Sequence, residues 1–233
     1  MLRFEQGAAL FNSRLPLVYD ANFVRIDSAL GELTADDAER LAEGLQRDLR
    51  HRKLLLPDAG ARLAAELGER GWSVSRTVVM EYRGSGERSA HGAELVDPRA
   101  IRAARQEALA DRTPETGRQL ADYTETLARA NDGAVFAAFS GGEPAGFCVL
   151  YSNEGTAEID EVTTLERFRG RGLGTAVVEA AVASSLAAGN DLTFLVADAI
   201  DWPREWYERL GFRAIGNRFE VFRTARASTL TNA

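Results

Sequence analysis

Apolar residues recur along this chain with two periods, and the switches between them lay out its elements. Phe23-Val24-Arg25-Ile26 reads as a strand. Thr34-Ala35-Asp36-Asp37 opens a helix with a capping hydroxyl and early acids, and Ala38, Leu41, Ala42, Leu45 and Leu49 repeat at three and four, which makes one buried face. Arg52 to Leu56 is a short strand. Asp58 caps a helix carrying Leu63 and Leu67 and stopped by Gly68 and Gly71, and Ser73 to Tyr82 is a β-branched strand. The order is βαβαβ. Residues up to about Asp20 show no period and stay an unassigned arm.

Gly84 to Gly92, rich in glycine and serine, reads as a linker. After it, Asp97-Pro98 and Thr113-Pro114-Glu115 each open a helix, through Ile101, Ala104 and Ala108 and through Leu120, Tyr123 and Leu127. Ala134 to Phe139 and Ala145 to Tyr151 form a hairpin about Gly141-Gly142, and a third strand, Thr156 to Thr164, runs into Arg169-Gly170-Arg171-Gly172-Leu173-Gly174. A long helix to Ala188, a strand from Leu192 to Val196, a helix opened by Pro203 and strands from Phe212 to Phe222 complete the pattern. Phe23 to Tyr82 and Ile159 to Arg223 share one order of elements. Their ends, Leu67-Gly68-Glu69-Arg70-Gly71-Trp72 and Tyr207-Glu208-Arg209-Leu210-Gly211-Phe212, correspond closely, which points to a degenerate internal duplication. Only the second copy has the glycine cluster.

Alternate glycines between a strand and a helix suit two readings: a tight connection, or a cradle in which backbone N–H groups converge on an anion at a positive helix end. A P-loop is excluded because no lysine lies near, and the dinucleotide fingerprint fails because Thr175 stands where its third glycine belongs. The segment does match Arg/Gln-x-x-Gly-x-Gly/Ala through Arg169, Gly172 and Gly174, and Tyr207 is followed four residues on by Gly211-Phe212. In these two motifs the chain resembles the GNAT superfamily of acetyl-CoA-dependent N-acetyltransferases from about Val96 to Arg226, and with its worn half-copy it resembles tandem GNAT proteins. Where many relatives have proline three residues before the loop arginine, this chain has Glu166.

The resemblance implies an α/β (α+β) fold, a mixed central sheet flanked by helices, with a degenerate GNAT-like half-domain at 1–83, a linker at 84–92, the N-acetyltransferase domain at 93–226 and a flexible tail at 227–233. It implies a pyrophosphate loop of Arg169, Gly170, Arg171, Gly172, Leu173, Gly174 and Thr175. It also implies that Val162 and Thr164, on a strand that splays from its neighbour, offer backbone groups to the coenzyme arm and the thioester carbonyl. By the same resemblance Tyr207 is expected as the general acid for the departing thiolate. Glu158, Asp160 and Glu161 crowd the strand that carries Val162, and crowded carboxylates raise one another's pKa. Glu158, four residues before Val162 where the histone-acetylating branch of the superfamily carries its glutamate, is the first choice of base and Glu161 the second. Ordered water is the alternative that many relatives use. Acetyl-CoA is the co-substrate, no metal is needed, and the expected reaction is direct transfer to a primary amine of a small molecule or peptide. A non-catalytic acyl-CoA sensor or a structural tandem GNAT domain is the competing reading.

Composition narrows this further. At 233 residues and 45% hydrophobic the chain can build a real core, and one cysteine excludes internal disulfides and thiolate metal clusters. A net charge of -7 disfavours nucleic acid and fits an acidic acceptor pocket near Glu158 to Glu161. Neither an export signal nor an apolar membrane span is evident, so a cytoplasmic protein is expected, with room for a homodimer and no membrane partner. Cys148 reads as core rather than as a ping-pong nucleophile. His51 and His91 read as solvated surface, and Asp201 and Trp202 as residues able to touch coenzyme or substrate.

Overall fold

A computed structural model describes residues 1–85, 92–200 and 203–224. In chain order the elements are β1 (Leu2–Phe4), β2 (Gly7–Leu10), β3 (Phe23–Ile26), α1 (Ala35–Leu45), β4 (His51–Pro57), α2 (Ala61–Glu69), β5 (Ser73–Tyr82) and β6 (Glu94–Val96). There follow α3 (Arg102–Ala108), α4 (Pro114–Ala130), β7 (Ala134–Ser140), β8 (Glu143–Asn153), β9 (Thr156–Thr164), α5 (Leu173–Ala187), β10 (Leu192–Asp198), α6 (Pro203–Arg209) and β11 (Phe212–Thr224). Packing divides the described residues into two units, 1–77 with 217–224, and 78–216.

In the unit of residues 78–216 the strands lie in the order β11-β5-β10-β9-β8-β7-β6, with β6 to β9 antiparallel and β9 parallel to β10. One face is covered by α5, which is apolar around most of its girth and packs Val177, Ala181 and Val182 against Met80, Cys148, Ile159, Leu195 and Phe212. The other face carries Ile101, Ala104 and Ala128 from the α3 and α4 region over Val135, Phe147 and Val149. This is the expected mixed sheet between helical layers.

In the other unit the order is β1-β2-β3-β4-β11-β5, with β3 parallel to β4 and β4 antiparallel to residues 218–224 of β11. Val24, Leu54, Leu56, Leu63, Leu67 and Trp72 form its core. Thr34 and Asp37 close α1 with reciprocal bonds, each side chain accepting from the other's backbone N–H. That helix ends at Leu45 rather than reaching Leu49. Gln46 turns inward there and ties its amide to the Lys53 backbone at 3.0 and 3.2 Å. Residues 2–10 form the β1–β2 hairpin where no period was visible, and β6 is a further three-residue strand missed by pattern.

The boundary also differs from the expected break at 84–92. β5 and β11 each give one end to each unit, so the glycine-cluster unit takes 78–82 from the N-terminal half of the sequence, and residues 217–224 of the C-terminal half belong to the other. The reason is where the strands bury their apolar rows: Val78 and Met80 lie under α5, Val221 beside Leu54. Residues 86–91 of the expected linker, His91 among them, and the tail at 227–233 lie outside the described residues.

His51 is a correction too: it is 0% exposed, not solvated. Its ring lies 4.3 Å from Tyr19 and 6.0 Å from Phe222, Nε2 donates to the Asn22 carbonyl at 2.9 Å, and Nδ1 is buried with no partner among the described residues. Burial holds the imidazole below its ordinary pKa, partly opposed by the bond to Asn22. A base with a depressed folded pKa stabilises fully above the unfolded value of about 6.5 and loses that contribution as pH falls towards the folded one. Thermal stability is therefore expected to decline from pH 6.5 downwards, at no more than about 1.4 kcal/mol per pH unit for this one proton. In His51→Leu the decline between pH 6.5 and 5 should shrink; equal slopes in the two proteins would remove His51 from the account.

Candidate active site

β9 reaches the site in register with β10 only as far as Ile159, which lies opposite Leu195; both strands continue, to Thr164 and Asp198, without pairing to one another. The splay expected of this strand is present. On its other side β9 carries a bulge: Val149 faces Asp160 and Phe147 faces Thr163, so Glu161 and Val162 together oppose Cys148. Glu161 takes φ +52.

The chain then turns. Leu165 N–H bonds the Ala145 carbonyl at 2.9 Å, a single 3-10 turn spans Glu166–Phe168, Arg169 is extended, and Gly170 and Gly172 take φ +75 and +78. Gly172 is the N-cap of α5, with no side-chain cap and no acid in the first turn. The first N–H groups of a helix have no partners within it and sit at its positive end, so this terminus presents donors to an anion. By contrast, the N-terminus of α1 is closed by Thr34 and carries Asp36 and Asp37. The two helices hold corresponding places in the repeated order, and of the two only α5 begins without a side-chain cap or an acid in its first turn. Gly174 is needed for another reason: a Cβ there would stand 3.0 Å from Thr164 Oγ1 and 3.4 Å from the Trp206 ring.

These elements enclose a cavity of about 450 Å³ lined by Val162, Thr163, Thr164, Arg169, Gly170, Gly172, Leu173, Gly174, Thr175, Pro203, Trp206 and Tyr207. Of the cofactor-binding residues read from sequence, only Arg171 is outside the lining; it is exposed, over the Phe168 ring at 5.2 Å. Thr163, Pro203 and Trp206 were missed. Trp206 had a signal, since it adjoins the motif tyrosine.

Tyr207 is 7% exposed, on α6, with its ring 4.7 Å from Trp206 and 5.9 Å from Phe212. Burial first, then the nearness of Cys148 and Asp160, pushes its phenol above the ordinary tyrosine range, so it keeps its proton at neutral pH. Cys148 is buried under α5, its thiol donates to the Val177 carbonyl at 3.3 Å, and burial pushes it up as well. Such a thiol is no nucleophile.

The two carboxylates are not brought together. Glu158 lies four residues back along β9, roughly 13 Å from Val162 at strand rise, where with Tyr151, Phe194, Asn131 and Asp132 it lines a separate cavity. Glu161 is half-buried; its Oε2 accepts from Arg105 Nε and Nη2 at 3.2 and 2.6 Å, and its Oε1 from the Thr124 hydroxyl. Burial raises its pKa against the opposing effect of Arg105, so desolvation rather than crowding by neighbours is the leading cause. Arg105 had no signal in the sequence. Asp201 and Trp202 lie outside the described residues. Among the described residues no group of three or more His, Cys, Asp or Glu side chains could hold a metal ion, and no helix is long and apolar enough to cross a membrane.

Gly172 offers a direct test of the cradle. Its left-handed φ, not crowding, demands glycine, because a Cβ there meets nothing within 4 Å. If the turn holds the acetyl-CoA expected from the sequence, Gly172→Val should weaken its binding by about tenfold to a hundredfold in calorimetry, the strain being of order 1–3 kcal/mol. Gly172→Asn, which tolerates this region, should stay within about threefold. Equal losses in both would point to bulk rather than backbone conformation.

Comparison with known proteins bears on the family and the fold. The sequence model described as Acetyltransferase (GNAT) family matches residues 100–212. None of the curated proteins compared with the chain matches it. Among solved structures it is similar to a functionally unknown conserved protein from Staphylococcus epidermidis, with TM-score 0.73 and 17% identity over 96% of this chain and 93% of that one. It is also similar to a GCN5-related N-acetyltransferase from Kribbella flavida, with TM-score 0.62 and 19% identity over 88% and 83%. A tandem GNAT protein from the clavulanic acid biosynthesis pathway gives 0.55 and 17% over 83% and 69%. At these identities the structural likenesses speak for the fold.

Proposed function

The chain belongs through residues 100–212 to the GNAT acetyltransferases and is an acyltransferase, and from that premise we propose that it moves the acetyl group of acetyl-CoA to a primary amine of a small molecule or peptide by direct attack in a ternary complex. The observation that carries the reading is the joint lining of one cavity by an uncapped, glycine-turned helix N-terminus, a splayed strand and a buried tyrosine. The residues present fit the coenzyme: donors and exposed arginines where a pyrophosphate needs them, and no competing acid in the first turn of α5.

When bound, acetyl-CoA supplies the activated acetyl thioester. The backbone N–H groups of Gly170 to Thr175 hold the anionic end, with Arg169 and Arg171 adding charge. Backbone groups of Val162 and Thr164, released from β10 by the splay, orient the extended arm, and the Val162 N–H is the donor for the carbonyl oxygen on which negative charge gathers. Tyr207 gives its proton to the leaving sulfur. Cys148, sealed under α5, supports direct attack over an acyl-enzyme. The base expected at Glu158 or Glu161 gains no support, since one lines another cavity and the other is held in an ion pair. We assign the amine proton to solvent at the open mouth of the cleft. The acidic acceptor pocket also narrows, because Arg105 offsets Glu161. Residues 1–83 are read as a worn copy that has lost its anion loop.

The test is calorimetric titration with acetyl-CoA, followed by thiol release over a panel of amines. Stoichiometric binding and amine-dependent release are expected. No binding overturns the reading, and tight binding without release from any amine turns it into the sensor reading.

A further inference from the structure

Glu161 was read as a base, yet it is built into the wall. It is the extra residue of the β9 bulge, it takes a left-handed φ of +52 without being glycine, and both of its carboxylate oxygens are engaged from other elements. Arg105 of α3, 3% exposed, donates twice to Oε2, at 3.2 and 2.6 Å, and lies over the Phe147 ring at 5.7 Å. Thr124 of α4 donates to Oε1, and the Glu161 N–H bonds Asp160 Oδ1 at 2.7 Å. β10 gives no support here, its pairing having ended at Ile159. A strained residue persists only where its surroundings over-determine it, and these bonds are the surroundings.

Resting on the function just given, we propose that Arg105, Glu161 and Thr124 form a clamp of positioning residues that fixes the β9 bulge and thereby aims the next amide, that of Val162, at the thioester carbonyl. The clamp reaches the bulge from the α3 and α4 side of the sheet, whereas the coenzyme cradle is built by the turn before α5. Loss of the clamp therefore falls chiefly on recognition of the acetyl group, while Thr164 and the turn before α5 still hold the rest of the coenzyme.

The assay compares acetyl-CoA with CoA by calorimetry and needs no acceptor. Wild-type protein should prefer acetyl-CoA by roughly threefold to tenfold, the worth of one neutral hydrogen bond. Arg105→Met and Glu161→Ala should abolish the preference while CoA affinity stays within about twofold, and the double variant should lose no more than either. Glu161→Gln keeps an acceptor for Arg105 and Thr124 and should retain most of the preference. Thr124→Val is the milder variant should the others not fold, and amide exchange over residues 160–164 should quicken in it. A wild type that binds both ligands equally, or variants that keep the preference, overturns the clamp. A wild type that binds neither ligand overturns the function instead.

Discussion

Deleting residues 1–83 is expected to leave a chain that does not fold, although the remainder contains both motifs and the whole region matched by the family. In the unit of residues 78–216, β5 is the neighbour of β10 on the side away from β9. It brings Val78 and Met80 into the core beneath α5, sets the Tyr82 ring 5.3 Å from Phe212, and is followed by a bond from Arg83 N–H to the Gly211 carbonyl at 2.9 Å. Met80 is fully buried, and Met80→Ala alone should cost about 2–5 kcal/mol. Removing the whole strand takes Val78 and Tyr82 as well and bares the edge of β10, a loss comparable with the roughly 5–15 kcal/mol that holds a typical domain. Circular dichroism and thermal melting decide it. A truncated protein that melts cooperatively and binds acetyl-CoA would show that residues 84–233 are self-sufficient.

Tyr207→Phe should lower kcat by about 10²–10³ and leave the KM for acetyl-CoA within about threefold. The substitution removes one oxygen and keeps the ring against Trp206 and Phe212, so stability should hardly change. A proton donor to a leaving thiolate acts in the transition state, which is why the loss belongs in kcat rather than in binding. The pH profile gives an independent check. Because burial lifts the phenol above its ordinary value of about 10, Tyr207 stays protonated through neutral and mildly alkaline pH and should add no falling limb below about pH 10. Unchanged turnover in Tyr207→Phe would remove the tyrosine from the proton transfer, whereas a wild-type fall near pH 8 that disappears in the variant would keep that role and overturn the raised pKa.

Local demands were legible and distant ones were not. Gly170 and Gly172 could be found from spacing because a left-handed turn into a helix has to be written in glycine where it occurs, and Tyr207 could be found because Gly211 and Phe212 follow at a fixed offset. β9 was read with its observed ends, yet its bulge was invisible, since an extra residue is defined only by the register with β8. Arg105 carries no local mark: all but one of the 28 basic residues are arginine. His51 looked polar beside Arg52 and Lys53, and it is buried by Tyr19 and Phe222, residues far away in the chain. The passage of β5 and β11 through both units depends on pairings across more than half the sequence, such as the Thr77 hydroxyl to the Arg218 carbonyl at 3.3 Å. No window of neighbouring residues contains that information.

The path of β11 bears on how the protein is made. Ribosomes deliver the N-terminal half first, and in most multidomain proteins that half folds while the rest is still being synthesised. Here β4 acquires its antiparallel partner only from residues 218–224. Until these emerge, β4 offers a row of unpaired amides and carbonyls, flanked by Leu54 and Leu56, to any strand nearby. Closure across so long a loop is slow and leaves the nascent chain open to mispairing. The first part of this chain to be synthesised is the last to be finished, and its yield in a cell should depend on protection during that interval.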